Sequence, residues 1–198
     1  MSPRALRVLS TAAALFYERG AVDTSVRELT RACGLTPGAL YNHFPSKNEL
    51  LYTVVWHGHR RMQQRIDSAL AALPADAAST VAMFRAFVRA YVAGHVEHPE
   101  LAQTVRREYV HLHGERYTDI VELRRATRNQ LSTILADGER SGCFSLIGGR
   151  DGAVGTALMV LDMCSRTSDW YDRSRDGDAA GIVGRYVAGA LRLVGAPA

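Results

Sequence analysis

Six polar side chains between residues 24 and 47 could bind a polyanion such as nucleic acid. They are Thr24, Ser25, Thr36, Tyr41, His43 and Lys47. Hydroxyl, imidazole and ammonium groups all donate hydrogen bonds to phosphate oxygens, and a helix N-terminus adds free backbone N–H groups and a positive dipole end. The chemistry that this set favours is binding of a phosphate backbone rather than catalysis.

Short helices must position these side chains. Ser25 and Glu28 have the spacing of a capping box, Gly34 is a stop signal, and Thr36-Pro37 is a second helix start. Two short helices joined by a tight turn form a helix-turn-helix, whose second helix fits the major groove. An ordinary helical hairpin, in which the polar residues serve only as caps, remains an alternative on spacing alone.

The same segment resembles the DNA-binding domain of the TetR family of transcriptional regulators. The resemblance covers about residues 5–52 and is dense and ungapped, and it includes the run Gly34-Leu35-Thr36-Pro37-Gly38-Ala39-Leu40-Tyr41-Asn42-His43-Phe44-Pro45-Ser46-Lys47. It implies an all-α homodimer with a three-helix DNA-reading domain and a larger helical effector domain. It also implies a palindromic double-stranded operator and a small-molecule effector.

Carried over by position, the resemblance places most of the candidate contacts on or beside the second helix of the motif. The supporting helix starts with Thr24, Ser25 and Arg27, and Lys47 falls on a phosphate-clamping position. The second helix carries Thr36, Pro37, Gly38, Ala39, Tyr41, Asn42 and His43. Asn42 departs from the Tyr or His that is usual there, and because Asn pairs bidentately with adenine we expect it to read a base.

The rest of the chain is also predicted to be helical, with about nine helices in all and no strand alternation. We draw the domain boundary at residue 52, so that 1–52 bind DNA and 53–198 bind the effector and dimerise. The segment from Ala153 to Cys164 is apolar almost all round and is expected to be buried centrally. We expect the dimer seam to use residues 153–172 and 179–194, and Val187 and Leu191 are the positions at which Asp should break it.

Composition excludes several classes of protein. The chain has 198 residues, a net charge of +4 and three widely spaced cysteines, which give no zinc spacing. No apolar run approaches the roughly 18 residues of a membrane span, and no signal-peptide core occurs near the start. We therefore expect a cytoplasmic protein without a membrane contact.

The larger domain is expected to bind a mostly apolar effector. The C-terminal portion, from residues 140–144 through Trp170-Tyr171 to the last helix, is similar to family members that respond to acyl-CoA or steroid-CoA thioesters. Arginines at the pocket mouth could pair with phosphates. The candidate lining residues are Phe84, Phe87, Tyr91, Tyr109, Met159, Met163 and Trp170, and the candidate arginines are Arg124 and Arg128. The same apolar residues are also what any helical core needs.

Enzymatic and metal chemistry find little support in the sequence. Histidine pairs such as His57 and His59 are two residues apart and splay on a helix, so no metal site is predicted. No serine lies in a nucleophile-elbow context, and neither an enzyme nor a cofactor is expected. Two alternatives remain: a DNA-binding regulator without an effector, and a helical binding protein that does not touch DNA.

Overall fold

The computed structural model describes residues 3–75, 79–148 and 152–196, and every regular element in these ranges is helical. The all-α prediction is confirmed. The helices are α1 (Pro3–Arg19), α2 (Val26–Cys33), α3 (Pro37–Tyr41), α4 (Lys47–Ala71), α5 (Thr80–Glu97), α6 (Pro99–Glu108), α7 (Gly114–Arg140), α8 (Gly152–Ser165), α9 (Thr167–Trp170), α10 (Arg173–Asp176) and α11 (Ala179–Leu193), with a 3-10 turn at Tyr109–His111. None of these helices is long and apolar enough to cross a membrane.

Helix α8 is shorter than the sequence predicts. α8 ends at Ser165 instead of continuing to residue 172, and the four-residue helices α9 and α10 follow. The Thr167 hydroxyl donates to the Cys164 carbonyl at 2.7 Å, and the Ser168 hydroxyl donates to the Ser165 carbonyl at 2.9 Å. Such local bonds compete with the helical pattern, and Tyr171 then takes an extended conformation.

The first of two compact units combines the N-terminal part of the chain with a later segment. It contains the residues up to Arg60 together with Glu100–Leu123. Its core holds the fully buried side chains of Phe16, Leu29 and Leu50. Packing therefore adds α6 and the start of α7 to the helix-turn-helix, whereas the functional boundary at residue 52 stays a prediction.

The second unit is built around α5. It contains Arg61–Pro99 and the chain from Arg124 onward, and both α8 and α11 pack against α5. Phe84, Phe87 and Leu131 are fully buried in its core. A ring-edge contact joins Phe84 to Phe144, with centroids 5.4 Å apart.

The last long helices each bury one face. On α11, Val187 and Leu191 are both only 4% exposed and belong to the core of their own chain. The prediction that Asp at these two positions tests the dimer seam is therefore wrong, because a buried Asp would destabilise the subunit itself.

The expectation that α8 is centrally buried is corrected in the same way. Its inner face packs on α5, but its outward face is exposed in the single chain, where it is apolar from Val154 to Met159 and carries the exposed Asp162 one turn later. We call this set the α8 outer face: Val154, Gly155, Leu158 and Met159.

Candidate DNA-binding interface

The helix-turn-helix forms as its capping signals predict. The Ser25 hydroxyl accepts the Glu28 N–H at 3.2 Å, and the Glu28 carboxylate accepts the Ser25 N–H at 2.8 Å. These bonds from Ser25 to the carboxylate, with the Arg19 charge beside it, hold the pKa of Glu28 below its usual value. Gly34 ends α2 at φ 62°, a left-handed conformation that glycine adopts without strain.

The next helix, α3, starts at a second cap and buries one side. The Thr36 hydroxyl accepts the Ala39 N–H at 3.2 Å, and Pro37 occupies the first helical position. Leu40 and Phe44 are buried in the core of the first unit. Because these two anchors fix the inner side of α3, the residues between them are directed to the surface.

Most of the predicted contact residues are exposed. Tyr41 is 45% exposed although it is aromatic, and Asn42 and His43 beside it are also exposed. Ala39 is half-buried. The other exposed members of the predicted set are Ser25, Arg27, Thr36, Pro37 and Gly38. An exposed tyrosine flanked by hydrogen-bonding side chains has no role in the core and suits a contact surface.

Thr24 is the exception in this set. Its side chain is fully buried, and its hydroxyl donates to the Gly20 carbonyl at 2.7 Å. The prediction of a DNA contact through this side chain is therefore wrong. The hydroxyl instead fixes the α1–α2 loop, which we define as residues 20–25.

Lys47, the first residue of α4, is held by the protein backbone. Its ammonium group donates to the Val22 carbonyl at 3.0 Å and to the Thr24 carbonyl at 2.9 Å. Two of its three donors therefore point at the α1–α2 loop. The phosphate contact expected from the sequence stays a prediction, and it competes with these two bonds.

Sequence reasoning missed a buried carboxylate at the same loop. Glu108, the last residue of α6, is only 8% exposed, and its Oε2 accepts the Ala21 N–H at 2.7 Å. The two residues are 87 positions apart, so no local pattern signals the contact. A glutamate at the end of a helix usually reads as a solvated surface residue.

A second polar cluster in the first unit joins α4 to α7. Arg116 pairs with Glu49 and lies over the Tyr52 ring, 5.4 Å from its centroid. The Tyr52 hydroxyl donates to Asp119 at 3.1 Å, and burial together with this carboxylate raises the pKa of Tyr52. The cluster fixes the first turns of α4, which follow directly on α3.

The predicted effector residues are only partly brought together. Phe84 and Phe87 are buried on α5, and Tyr91 stacks on Phe87 with centroids 6.2 Å apart. Met163 is half-buried on α8, Arg124 is exposed, and Arg128 donates to the neighbouring Asn129 at 3.1 Å.

Three aromatic or sulfur side chains differ from the prediction. Met159 and Trp170 are 45% and 40% exposed in the single chain and do not face inward as predicted. Trp170 instead stacks on Tyr186 of α11, with centroids 6.3 Å apart. Tyr109 belongs to the first unit, where it stacks on Tyr117 at 6.2 Å. Because apolar residues lie on both faces of α8, the sequence could not tell its inner side from its outer side.

Metal chemistry has no candidate site in the part of the chain that the structure describes. No group of three or more His, Cys, Asp or Glu side chains there is close enough to hold an ion. Among the described histidines, His95 is buried and bonded to the Tyr91 carbonyl at 2.8 Å. That contact gives His95 a structural role.

Two protein-family models together match most of the chain. Residues 8–54 match the model described as bacterial regulatory proteins of the tetR family, and residues 77–194 match the one described as a tetracyclin repressor-like C-terminal domain. The transcriptional repressor KstR2 of Rhodococcus jostii is 30% identical over 145 residues, which cover 72% of this chain and 69% of that one. An HTH-type transcriptional regulator of Escherichia coli matches over 63 residues, and this matched part of the chain spans about a third of the length of that relative.

Solved structures share the fold. A regulatory protein in the tetR family from Rhodococcus RHA1 superposes with a TM-score of 0.89 at 27% identity, with both chains fully covered. The structure of AibR in complex with isovaleryl coenzyme A and operator DNA gives a TM-score of 0.84 at 20% identity, covering 98% of this chain and all of that one.

Proposed function

Since this chain belongs to the TetR family of bacterial regulatory proteins, we propose that it is a transcriptional repressor that binds operator DNA through α2 and α3. The observation that carries the proposal is the exposed end of α3 and the two residues that follow it: Tyr41, Asn42 and His43 are exposed between the buried anchors Leu40 and Phe44. A helix held in this way can enter a major groove without disturbing the packing beneath it.

The contacts divide into positioning and reading groups. Ser25 caps the N-terminus of the eight-residue helix α2, whose free N–H groups and dipole suit a phosphate, and Arg27 adds a positive charge in the first turn. At the C-cap of α3, Asn42 reads a base edge. The other predicted residues of α3 and its two flanks allow close approach or touch the DNA backbone: Thr36, Pro37, Gly38, Ala39, Tyr41 and His43.

Selection of bound duplexes from a random DNA library tests the proposal. Wild-type protein is expected to enrich a palindromic site, because a symmetric dimer reads two half-sites. Asn42→Ala should relax preference at one base pair per half-site, at a cost of about 1–3 kcal/mol. The matched control is Asn129→Ala, an exposed asparagine on α7. No enrichment by the wild-type protein would contradict DNA binding, and uniform loss of affinity in Asn42→Ala would contradict base reading.

The α8 outer face supports a homodimer. Leu158 and Met159 are 51% and 45% exposed, and a contiguous exposed apolar patch of this kind marks an interaction surface. On α11, Gly181 and Gly184 lie on the exposed face, and a Cβ there would meet nothing within 4 Å, so the single chain gives no packing reason for these glycines. We assign both outward faces to a symmetric helical seam between two copies.

Asp substitution at the exposed position tests the seam without disturbing the subunit core. Leu158→Asp is expected to give folded monomers with weak operator binding, as measured by sedimentation and circular dichroism. Val110→Asp, at a 53% exposed valine of the first unit, is the control and should stay dimeric. A folded dimer in Leu158→Asp would remove α8 from the seam.

The effector assignment is a mostly apolar molecule of the acyl-CoA thioester type. It is supported by the aromatic series Phe84, Phe87 and Tyr91 on α5, and by the fold shared with AibR, which is described in complex with isovaleryl coenzyme A. Arg124 and Arg128 are then the candidates for the phosphates, through their forked donors.

Titration of acyl-CoAs, free fatty acids and neutral apolar compounds against the operator-bound dimer decides the effector class. Release by acyl-CoAs is expected, and Arg128→Met should weaken that release while leaving operator affinity unchanged. Release by neutral compounds alone would exclude the CoA assignment, and release by none of the three classes would exclude all of them.

A further inference from the structure

The α1–α2 loop is held by charged side chains from two other helices. Glu108 at the end of α6 accepts the Ala21 N–H, and Lys47 at the start of α4 donates to the carbonyls of Val22 and Thr24. We propose that Glu108 and Lys47 are positioning residues that clamp this loop and so set the place of the α2 N-terminus. This inference rests on the DNA-binding function proposed above.

The Glu108 contact is more than a surface bond. A carboxylate that is 8% exposed has lost most of its hydration and depends on its hydrogen-bond donor. The Ala21 N–H supplies a charge-assisted bond of 2.7 Å, which is stronger than a bond between neutral groups. Without this bond, the largely dehydrated carboxylate keeps only the more distant His111 as an ion-pair neighbour, with Nε2 4.0 Å from its Oε2, so the Ala21 bond favours attachment of the loop to α6.

The far end of the loop is the cap of α2. Ser25 ends the loop and accepts the Glu28 N–H, so a shift of residues 21–24 displaces the cap. Arg27, in the first turn of α2, moves with it. The clamp therefore acts on the part of the interface that we assign to phosphate contacts, and not on Asn42 at the end of α3.

A second buried bond attaches α6 to α1. The Thr104 hydroxyl donates to the Ala13 carbonyl at 3.0 Å, and Thr104 is 1% exposed. Thr104 and Glu108 therefore hold α6 against both α1 and the α1–α2 loop within the first unit.

The clamp also gives Lys47 a different role from a phosphate contact. With two ammonium donors on loop carbonyls, loss of the side chain frees the loop and removes no phosphate partner. The salt dependence of DNA binding separates the two roles. The slope of log K against log salt is negative, and each lost phosphate contact reduces its magnitude by roughly one unit.

Amide hydrogen exchange and operator affinity test the clamp in the full-length dimer. The variants are Glu108→Ala, Glu108→Gln and Lys47→Met, and the matched control is Glu100→Ala, an exposed glutamate in the first turn of α6. Exchange is followed by NMR at residues 20–25. Affinity is measured by fluorescence anisotropy over a series of KCl concentrations, with a duplex selected from a random library by the wild-type protein.

Glu108→Ala is expected to speed exchange of the Ala21 amide about tenfold or more, as loss of a hydrogen bond to a charged group predicts. Operator affinity should fall several-fold with an unchanged salt slope. Glu108→Gln should restore both, because its amide oxygen still accepts from Ala21. Lys47→Met should raise exchange of the loop with an unchanged salt slope, and Glu100→Ala should match the wild type.

Specific results overturn the proposal. Unchanged loop exchange in Glu108→Ala removes Glu108 from the clamp. In Lys47→Met, unchanged loop exchange together with a salt slope whose magnitude falls by about one unit makes Lys47 a phosphate contact. If Glu108→Ala does not fold, the wild type still decides, since the clamp requires its Ala21 amide to exchange more slowly than that of Asp23. If the wild type binds no DNA, the proposed function fails, while the exchange data still test the clamp.

Discussion

Gly58, in the middle of α4, lies where α4 approaches α6 closely. A Cβ at this position would lie less than 3.0 Å from Val105 Cγ2, 3.5 Å from Val105 Cβ and 3.7 Å from Leu101 Cδ1. Real Cβ atoms essentially never approach another atom so closely. Gly58→Ala must therefore push α6 away from α4 or twist the Val105 side chain.

The magnitude follows from two opposing effects. Alanine improves helix propensity by about 1 kcal/mol over glycine, whereas overpacking typically costs about 1–3 kcal/mol. Val105 gives little relief, because a valine in a helix has one strongly preferred χ1 rotamer. We expect Gly58→Ala to lower the free energy of unfolding by about 0–2 kcal/mol, and to weaken operator binding because α6 carries Glu108.

Urea titration followed by circular dichroism, at one fixed protomer concentration, measures the effect. The control is Gly189→Ala in α11, where a Cβ meets nothing within 4 Å and helix propensity alone should stabilise by roughly 0.5–1 kcal/mol. The double variant Gly58→Ala/Val105→Ala removes Cγ2 and leaves an ordinary 3.5 Å contact.

The double-mutant cycle should therefore show a favourable coupling of about 1–3 kcal/mol between positions 58 and 105. Equal stabilisation by Gly58→Ala and Gly189→Ala would refute the close approach. Simple additivity of the Gly58 and Val105 substitutions would refute it as well.

Three further outcomes are expected. Burial, with Arg61 beside the ring, lowers the pKa of His98. The stability associated with neutral His98 is therefore present above its ordinary pKa of 6.5 and is lost as the pH falls through the lowered pKa. His98→Gln should flatten this part of the pH dependence of the free energy of unfolding, and curves identical to the wild type would contradict the lowered pKa. Burial raises the pKa of Cys164 to about 12, so iodoacetamide at pH 8 should label this thiol only after denaturation, as read by mass spectrometry of its peptide. Ser25→Ala removes the cap of α2 and should lower the free energy of unfolding by about 0.5–2 kcal/mol in urea titration, and an unchanged midpoint would argue against the cap.

The local signals of the helix-turn-helix could be predicted from the sequence. Ser25, Gly34 and Thr36 take the conformations that their residue types favour, since each is fixed by partners within five residues along the chain. The family resemblance likewise lies in one continuous segment. The all-α class follows from apolar periodicity, which is also a local property.

Contacts between distant segments could not be predicted. Glu108 and Ala21, Lys47 and Val22, and Gly58 and Val105 meet because helices separated in the chain pack together, and a glutamate or glycine within a helix carries no mark of its partner.

The two faces of α8 illustrate the same limit. Leu158 and Val160 are equally apolar in the sequence, yet one is 51% exposed and the other 1% exposed, because packing against α5 selects the inner side. On α11 the same choice buries Val187, the residue that the sequence placed at the dimer seam. Burial is a property of the packed chain, since the hydrophobic effect is non-directional and rewards any apolar face that finds a partner.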